Sequence, residues 1–255
     1  MLTIAGLWIY PVKSLGGVAL ARAVVRPEGS LALDREWLVV DGDGAMLWQG
    51  VLPRMAMIGV AIEGEALRLR DPDGGGVSVP LRHDGAPRAV TQYGQAFAGI
   101  DAGDEAAAFL SDHLSVAVRL VRIGAAAHGW PKVNPLHVLS EASVGALCAR
   151  LAPADSAGLD ATRFRPNVLL AGAAPPFEEE RRPVIEFGQA RIVLREPATR
   201  CVLVNVDPAR GAVGRQPLPA IAAMSRERAT ARRGSFGTYA EARGEALALG
   251  MATVD

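Results

Sequence analysis

Arg200-Cys201 stands inside Pro197-Ala198-Thr199-Arg200-Cys201-Val202-Leu203-Val204-Asn205-Val206-Asp207-Pro208. A guanidinium beside a thiol favours the thiolate, the form that ligates metals and attacks electrophiles. The alternative is a small apolar side chain in a core, the usual fate of a free cysteine. Cationic groups at three other places could serve one anion. Lys13, beside Ser14, is one of only two lysines, with Lys132, against 25 arginines. A point charge next to a hydroxyl suits an anion contact, and a solvated surface lysine is the alternative. Arg35 follows Asp34 and is open to a plain ion pair. In Arg163-Phe164-Arg165-Pro166-Asn167 the proline restricts the backbone, so Arg165 is expected to be aimed.

Other chemistries lack their patterns. His83, His113, His128 and His137 form no i, i+4 pair and no HExxH, which argues against a zinc hydrolase. Asp73-Gly74-Gly75-Gly76 lacks the Gly-Lys-Ser/Thr of a phosphate loop and is read as a turn. There is no G-x-S-x-G elbow and no Gly-rich dinucleotide fingerprint after a strand. Cys148 and Cys201 are the only cysteines, too few for a disulfide framework or a cysteine cluster.

The elements that must position these groups are mostly strands. Val202, Val204 and Val206 alternate with Cys201, Leu203 and Asn205, which places the sulfur at the start of a strand over residues 202–206 and able to face a cleft. Trp37 to Val40 and Ala45 to Trp48 flank the turn Asp41-Gly42-Asp43-Gly44. Ala66 to Arg70 and Val77 to Leu81 flank a second, Asp71 to Gly76. Gly103-Asp104 opens a helix through Ala106, Phe109, Leu110 and Leu114, ahead of a strand from Val116 to Val121. Ala125 to Pro135 reads as a linker or active-site loop. Ser140 is expected to cap a helix whose stripe Val144, Leu147, Cys148 and Leu151 puts Cys148 in the core. Further strands fall at Val168 to Leu170, Val184 to Phe187 and Arg191 to Leu194, and Glu178 to Arg182 reads as a solvated charged loop.

Half of the 255 residues are apolar, 27 basic residues balance 27 acidic ones, and aromatics are only 5%. Such a chain can bury a large core but carries no global field for nucleic acid or anionic membrane, and few stacking platforms for single strands. Pro11 interrupts the first apolar run before a signal peptide could form, and no run is long enough to span a bilayer. The expected location is the cytoplasm, without nucleic-acid or membrane partners.

Tyr10-Pro11-Val12-Lys13-Ser14, Asp34-Arg35-Glu36-Trp37, Arg163 to Asn167, the cysteine segment and Phe236-Gly237-Thr238-Tyr239, in that order, resemble the molybdenum-cofactor sulfurase C-terminal (MOSC) superfamily. The likeness is to its long form, which includes the amidoxime-reducing components. It implies a mainly β fold with a few helices: an N-terminal MOSC-type β-barrel (1–122) packed on a MOSC β-barrel domain (123–255), with Mo-molybdopterin between them. It implies that Lys13, Ser14, Arg35, Arg165 and Asn167, with Asn134 as a further contact, hold the phosphate and pterin. Thr199 and Arg200 would lie beside the metal, Cys201 would be its protein ligand, and Tyr239 would close the site. Two stretches depart from the pattern. Gly50 stands where the family often has arginine, and residues 132–139 lack the aspartate and hydroxyls common in relatives.

The implied activity is two-electron reduction of N-hydroxylated small molecules to amines or amidines. Electrons are expected from an external ferredoxin- or cytochrome-type protein, since the chain shows no nicotinamide or flavin fingerprint and ends at Asp255 without further cysteines. The alternative is a carrier that holds a persulfide or the cofactor on Cys201 for another enzyme.

Overall fold

The computed structural model describes residues 1–128, 134–173, 175–228 and 232–253. Within the expected loop from Ala125 to Pro135, residues 129–133 lie outside the described residues, Lys132 among them. In chain order the first half runs β1 (Thr3–Ile9), β2 (Val18–Ala19), β3 (Arg22–Val24), β4 (Trp37–Val40), β5 (Gly59–Glu63), β6 (Ala66–Arg70), β7 (Gly76–Pro80), β8 (Pro87–Gln92), β9 (Gln95–Asp101), α1 (Asp104–Leu114) and β10 (Arg119–Arg122). The second half runs β11 (Leu136–Ser140), α2 (Glu141–Cys148), α3 (Pro153–Ser156), β12 (Val168–Ala171), β13 (Val184–Phe187), β14 (Ala190–Thr199), β15 (Val206–Asp207), β16 (Ala212–Val213), α4 (Leu218–Glu227), β17 (Ser235–Arg243) and β18 (Ala246–Ala248). The fold is mainly β.

The largest sheet has the order β13-β14-β17-β11-β12-β1-β2. All its pairs are antiparallel except β11 with β12. The sheet crosses the expected division at 122/123, because β1 pairs with β12 from Thr3 opposite Ala171 to Leu7 opposite Val168. Chain from both halves therefore closes one core, in which Ile4, Leu7, Val138, Val168, Leu170, Ile192 and Ala240 are buried together. The sheets β4-β10-β9-β8 and β5-β6-β7 belong to the first half alone. They cover a second core with Trp37, Val39, Leu67, Leu69 and the apolar face of α1.

Local chemistry explains the turns. Asp41 Oδ1 accepts from the backbone N–H of Asp43 (3.0 Å) and Ala45 (2.9 Å), and Asp71 Oδ1 does the same for Asp73 and Gly75, both at 2.9 Å. Each aspartate thus folds the following residues back on itself, as Asx turns do. The second turn joins two full strands, β6 and β7. The return arm of the first forms no full strand and makes two isolated bridges, Met46 with Val40 and Ala45 with Thr91. Asp104 and Glu105 sit at the positive end of α1. The Ser140 side chain accepts from the Ser143 N–H at the start of α2.

Three expectations need correction. Residues 202–205 form a 3-10 turn with Cys201 at its N-terminal boundary, and the strand ends before it, at Thr199. Asn205 explains the difference: its side chain accepts from Leu218 N–H at 2.8 Å and donates to Arg215 O at 3.3 Å, ties that bend the segment toward α4. Cys148 is half-buried rather than in the core, since Leu147 takes the inward position of α2. The acidic run is not solvated throughout. Glu179 is 1% exposed and accepts from Ser143 Oγ at 2.7 Å and Ser140 N–H at 3.3 Å, which fixes the start of α2 from behind.

Gly237 on β17 has φ of 74°, and a Cβ there would lie 2.5 Å from Val138 O and 2.7 Å from His137 Nε2. Left-handed backbone and backbone contact both oppose a side chain. Gly237→Ala is expected to lower stability by about 2 kcal/mol or more, read as a fall in the midpoint of urea unfolding. An unchanged midpoint would mean that β11 and β17 are not this close.

Candidate functional site

A cavity of about 440 Å³ lies where the ends of many strands meet. Lys13 and Ser14 follow β1, Arg35 precedes β4, Asn134 precedes β11, and Arg165 and Asn167 precede β12. Thr199, Arg200 and Cys201 end β14 or follow it, and Tyr239 lies on β17. All ten candidate residues from the sequence therefore line one cavity, although 226 positions separate the first from the last. Site residues at strand ends draw precision from the sheet and freedom from the loop.

Tyr10, fully buried at the end of β1, is the hub beneath them. Its N–H donates to Asp34 Oδ1 at 2.7 Å and its hydroxyl to Pro166 O at 3.1 Å. The guanidinium of Arg35 lies 4.9 Å from the centre of its ring, and that of Arg165 lies 4.1 Å away. Arg35 also pairs with Asp34 Oδ2, so the simple ion pair and the cavity role coexist. It donates further to Asn167 Oδ1 at 2.9 Å and Arg165 O at 3.3 Å. Asn167 Oδ1 accepts from His137 N–H as well (3.1 Å), and its Nδ2 donates to Trp8 O (3.1 Å). Its amide is thus spent mainly on holding Arg35 and the strands in place. Arg200 donates to Phe164 O at 2.7 Å, and Tyr239 Oη to Thr199 O at 3.3 Å.

The backbone is strained where it meets the cavity. Of seven non-glycine residues with positive φ among the described residues, four line it: Ser14 (71°), Arg35 (57°), Tyr93 (53°) and Arg165 (53°). Arg165 departs from the extended conformation usual before proline, closing the 3-10 turn Ala161–Phe164 instead. Each such residue costs about 1 kcal/mol or more, tolerated where the surroundings over-determine it. In return the side chains of Arg35 and Arg165 turn onto Tyr10 and into the cavity.

Electrostatics give the cavity its character. Burial, reinforced by Arg35 and Arg165, pushes the Lys13 ammonium down to about 7. Burial alone is the main cause that lowers Arg165 to about 10 and also depresses Arg200. His137 is held neutral, well below its usual range, by burial and then by Arg200. Among the described residues, Lys13, Arg165 and Arg200 form no ion pair with a carboxylate. Ser14 Oγ and Arg200 Nε are buried without a hydrogen-bond partner in the described residues. A cavity with surplus positive charge and idle donors matches a multiply charged anion. The Cys201 thiol, exposed at the same cavity, adds a soft donor.

Sequence reasoning missed Trp48, Gln92, Tyr93 and His137, which also line the cavity. Only Tyr93 left a signal, as the residue before Gly94 in a tight turn between alternating strands. Tyr10 was visible in its motif, but its place between two guanidiniums was not.

The profile of the MOSC N-terminal beta barrel domain matches residues 1–117, and that of the MOSC domain matches residues 124–250. Human mitochondrial amidoxime reducing component 2 is 30% identical over 240 residues, 85% of this chain and 70% of that protein. The chain belongs to the MOSC family. Rat mitochondrial amidoxime reducing component 2 is 28% identical over 239 residues, 84% of this chain and 69% of the relative. A molybdenum cofactor sulfurase of Caenorhabditis briggsae is 27% identical over 93% of this chain, which matches only 33% of that longer protein. Among the described residues, no helix is long and apolar enough to cross a membrane, and no three His, Cys, Asp or Glu side chains gather as a metal cluster.

Lys13 makes the stability of the MOSC chain depend on pH. Its native value near 7 lies below 10.5, so between those pH values the unfolded state binds more protons. The penalty for burying the ammonium is complete below about pH 7 and relieved as pH rises toward 10.5. Subtracting the melting temperatures of Lys13→Met from those of the ligand-free wild type, between pH 6.5 and 9.5, should give a difference that rises with pH. A flat difference would place the ammonium in water.

Proposed function

We propose that this MOSC protein is a molybdenum-cofactor-dependent reductase of N-hydroxylated compounds that takes its electrons from an external protein. The observation that carries the reading is the sharing of one cavity by the Cys201 thiol and the four cations Lys13, Arg35, Arg165 and Arg200. A pterin phosphate calls for cations from several segments, and a metal already held by soft sulfur donors calls for a thiolate. When bound, the cofactor supplies two-electron removal of oxygen from an N–O bond.

The chain's own residues have distinct tasks in this reading. Lys13, Ser14 and Arg165 hold the phosphate, and the ammonium of Lys13 recovers its charge as the anion arrives. Arg35 is held ready by Asp34 and Asn167, and Asn134 adds a polar contact to the pterin. Cys201 is the protein ligand of the metal, flanked by Thr199 and Arg200. Tyr239, whose hydroxyl is directed to Thr199 O, closes the site. The named activity of the amidoxime-reducing relatives supports the reaction class, and the cytoplasm and a ferredoxin- or cytochrome-type donor complete the proposal.

The deciding experiment is the molybdenum and pterin content of protein purified from a cofactor-competent host, with turnover of an amidoxime under an artificial reductant. Stoichiometric pterin and turnover are expected. A Cys201 persulfide without pterin would instead make the chain a sulfur carrier.

Cys201→Ser should abolish turnover while leaving the fold intact, because a hard oxygen replaces the soft ligand. Cys148→Ala should retain turnover and lose about 1 kcal/mol of stability or less. Full turnover by Cys201→Ser would remove the metal-ligand assignment.

The purified chain is also expected to be inactive with NADH or NADPH alone and active once a small redox partner or artificial reductant is added. Robust NADH-dependent turnover without a partner would point to a different class of reductase.

A further inference from the structure

Two further aromatic side chains, Trp48 and Tyr93, line the cavity. Tyr93 stands in the turn between β8 and β9 and is 62% exposed, an unusual position for a tyrosine in a backbone conformation as restricted as φ 53°. One contact of its ring is fixed: the Lys13 ammonium lies 4.4 Å from the ring centre. Trp48 is half-buried on the segment after β4, and its ring occupies space over Gly50. A Cβ at position 50 would fall 2.1 and 2.3 Å from two carbons of the indole. Gly50 does not have positive φ, so glycine serves here for room rather than for backbone freedom. Glycine at position 50 is therefore what gives the indole its place.

The two aromatic segments are joined. Met46 N–H donates to Thr91 O at 2.9 Å and Thr91 N–H to Gly44 O at 2.8 Å, which ties the Trp48 segment to the strand that ends in Tyr93. Gln49 Nε2 reaches Leu203 O at 3.4 Å, in the turn that begins at Cys201. The rings are thus set on the cavity that Cys201 enters, on elements other than those that supply Arg165, Arg200 and the thiol.

We infer that Trp48 and Tyr93 form an aromatic wall at the cavity mouth that selects flat, conjugated N-hydroxylated substrates over aliphatic ones, with Gly50 as the residue that positions Trp48. The inference rests on the reductase reading and refines its substrate class. A planar amidoxime on an arene presents a π-face to these rings, and aromatic pairs gain beyond simple burial. An aliphatic amidoxime offers the same N–O bond and no such face.

The test uses cofactor-loaded wild type, Trp48→Ala, Tyr93→Ala, Tyr93→Phe and Gly50→Ala. Two quantities are compared: the ratio of kcat/KM for benzamidoxime to that for acetamidoxime, and the ratio of calorimetric Kd values for benzamidine and acetamidine. Wild type should prefer the aromatic compound by about tenfold in both. Trp48→Ala and Tyr93→Ala should each reduce that preference about three- to fivefold, and Tyr93→Phe should keep it. Gly50→Ala should reduce it as Trp48→Ala does, because the added methyl displaces the indole. Pterin content should match wild type in all four variants. Loss of pterin in Trp48→Ala or Tyr93→Ala would show that the rings hold the cofactor and would overturn the inference. Equal preference for the two amidoximes in an active wild type would overturn it alone, whereas no turnover of either by pterin-loaded wild type would overturn the reductase reading with it.

Discussion

Positive charge withdrawn from water is the constraint around which the rest of this protein is built. Arg35, Arg165, Arg200 and Lys13 line a space whose one direct carboxylate partner among the described residues is Asp34, itself fully buried. Like charges this close repel, and burial strengthens the repulsion by lowering the local dielectric. The protein offsets it with what surrounds the guanidiniums: the Tyr10 ring against two of them, backbone carbonyls of Leu15, Phe164 and Arg165, and the amide of Asn167. These partners stabilise the cations without neutralising them. The depressed values of Lys13, Arg165 and Arg200 are the residue of that incomplete compensation.

Holding such an arrangement requires rigid surroundings. The cavity sits at strand ends, and apolar cores lie behind it on more than one side. Phe164, immediately before Arg165, packs on Phe236 with ring centres 4.7 Å apart, and Phe177 meets Phe236 at 6.1 Å. On the other side, Val12 and Leu15 bracket Lys13 and Ser14 and are buried with Trp37 and Ile58. The residues flanking each strained site residue are therefore anchored, which is how left-handed backbone at Ser14, Arg35 and Arg165 persists.

Much of this was legible in the sequence because each motif pairs a charged residue with a backbone-restricting neighbour. Pro11 before Lys13 and Pro166 after Arg165 mark loops at strand ends, and the aspartate-glycine turns mark hairpins. The failures have a common cause. Val202 to Val206 alternates as a strand does, but periodicity cannot register the distant pull of Arg215 and Leu218 on Asn205, which bends the segment into a turn. Glu179 looks solvated because nothing near it in sequence could satisfy a carboxylate; Ser140 and Ser143, almost forty residues earlier, do so. Trp48 carries no motif and Tyr93 only the mark of a turn, and their meeting at one cavity depends on hydrogen bonds between Gly44, Met46 and Thr91.

The placement of β1 beside β12 also bears on how the chain acquires its shape during synthesis. β1 has its register partners, Val168 to Ala171, more than 160 residues later in the chain. Until the ribosome has delivered them, an apolar segment with Ile4, Leu7 and Ile9 has one unmet edge, held only by the short hairpin to β2. The first-half sheets β4-β10-β9-β8 and β5-β6-β7 can close on their own before that. The second half cannot close without reaching back to β1, so the molecule assembles as a clasp whose earlier link waits for its later one. Such long-range pairing slows folding and leaves an exposed edge on the nascent chain. It also means that Lys13, four residues past the end of β1, is drawn to Arg165 only when the clasp shuts.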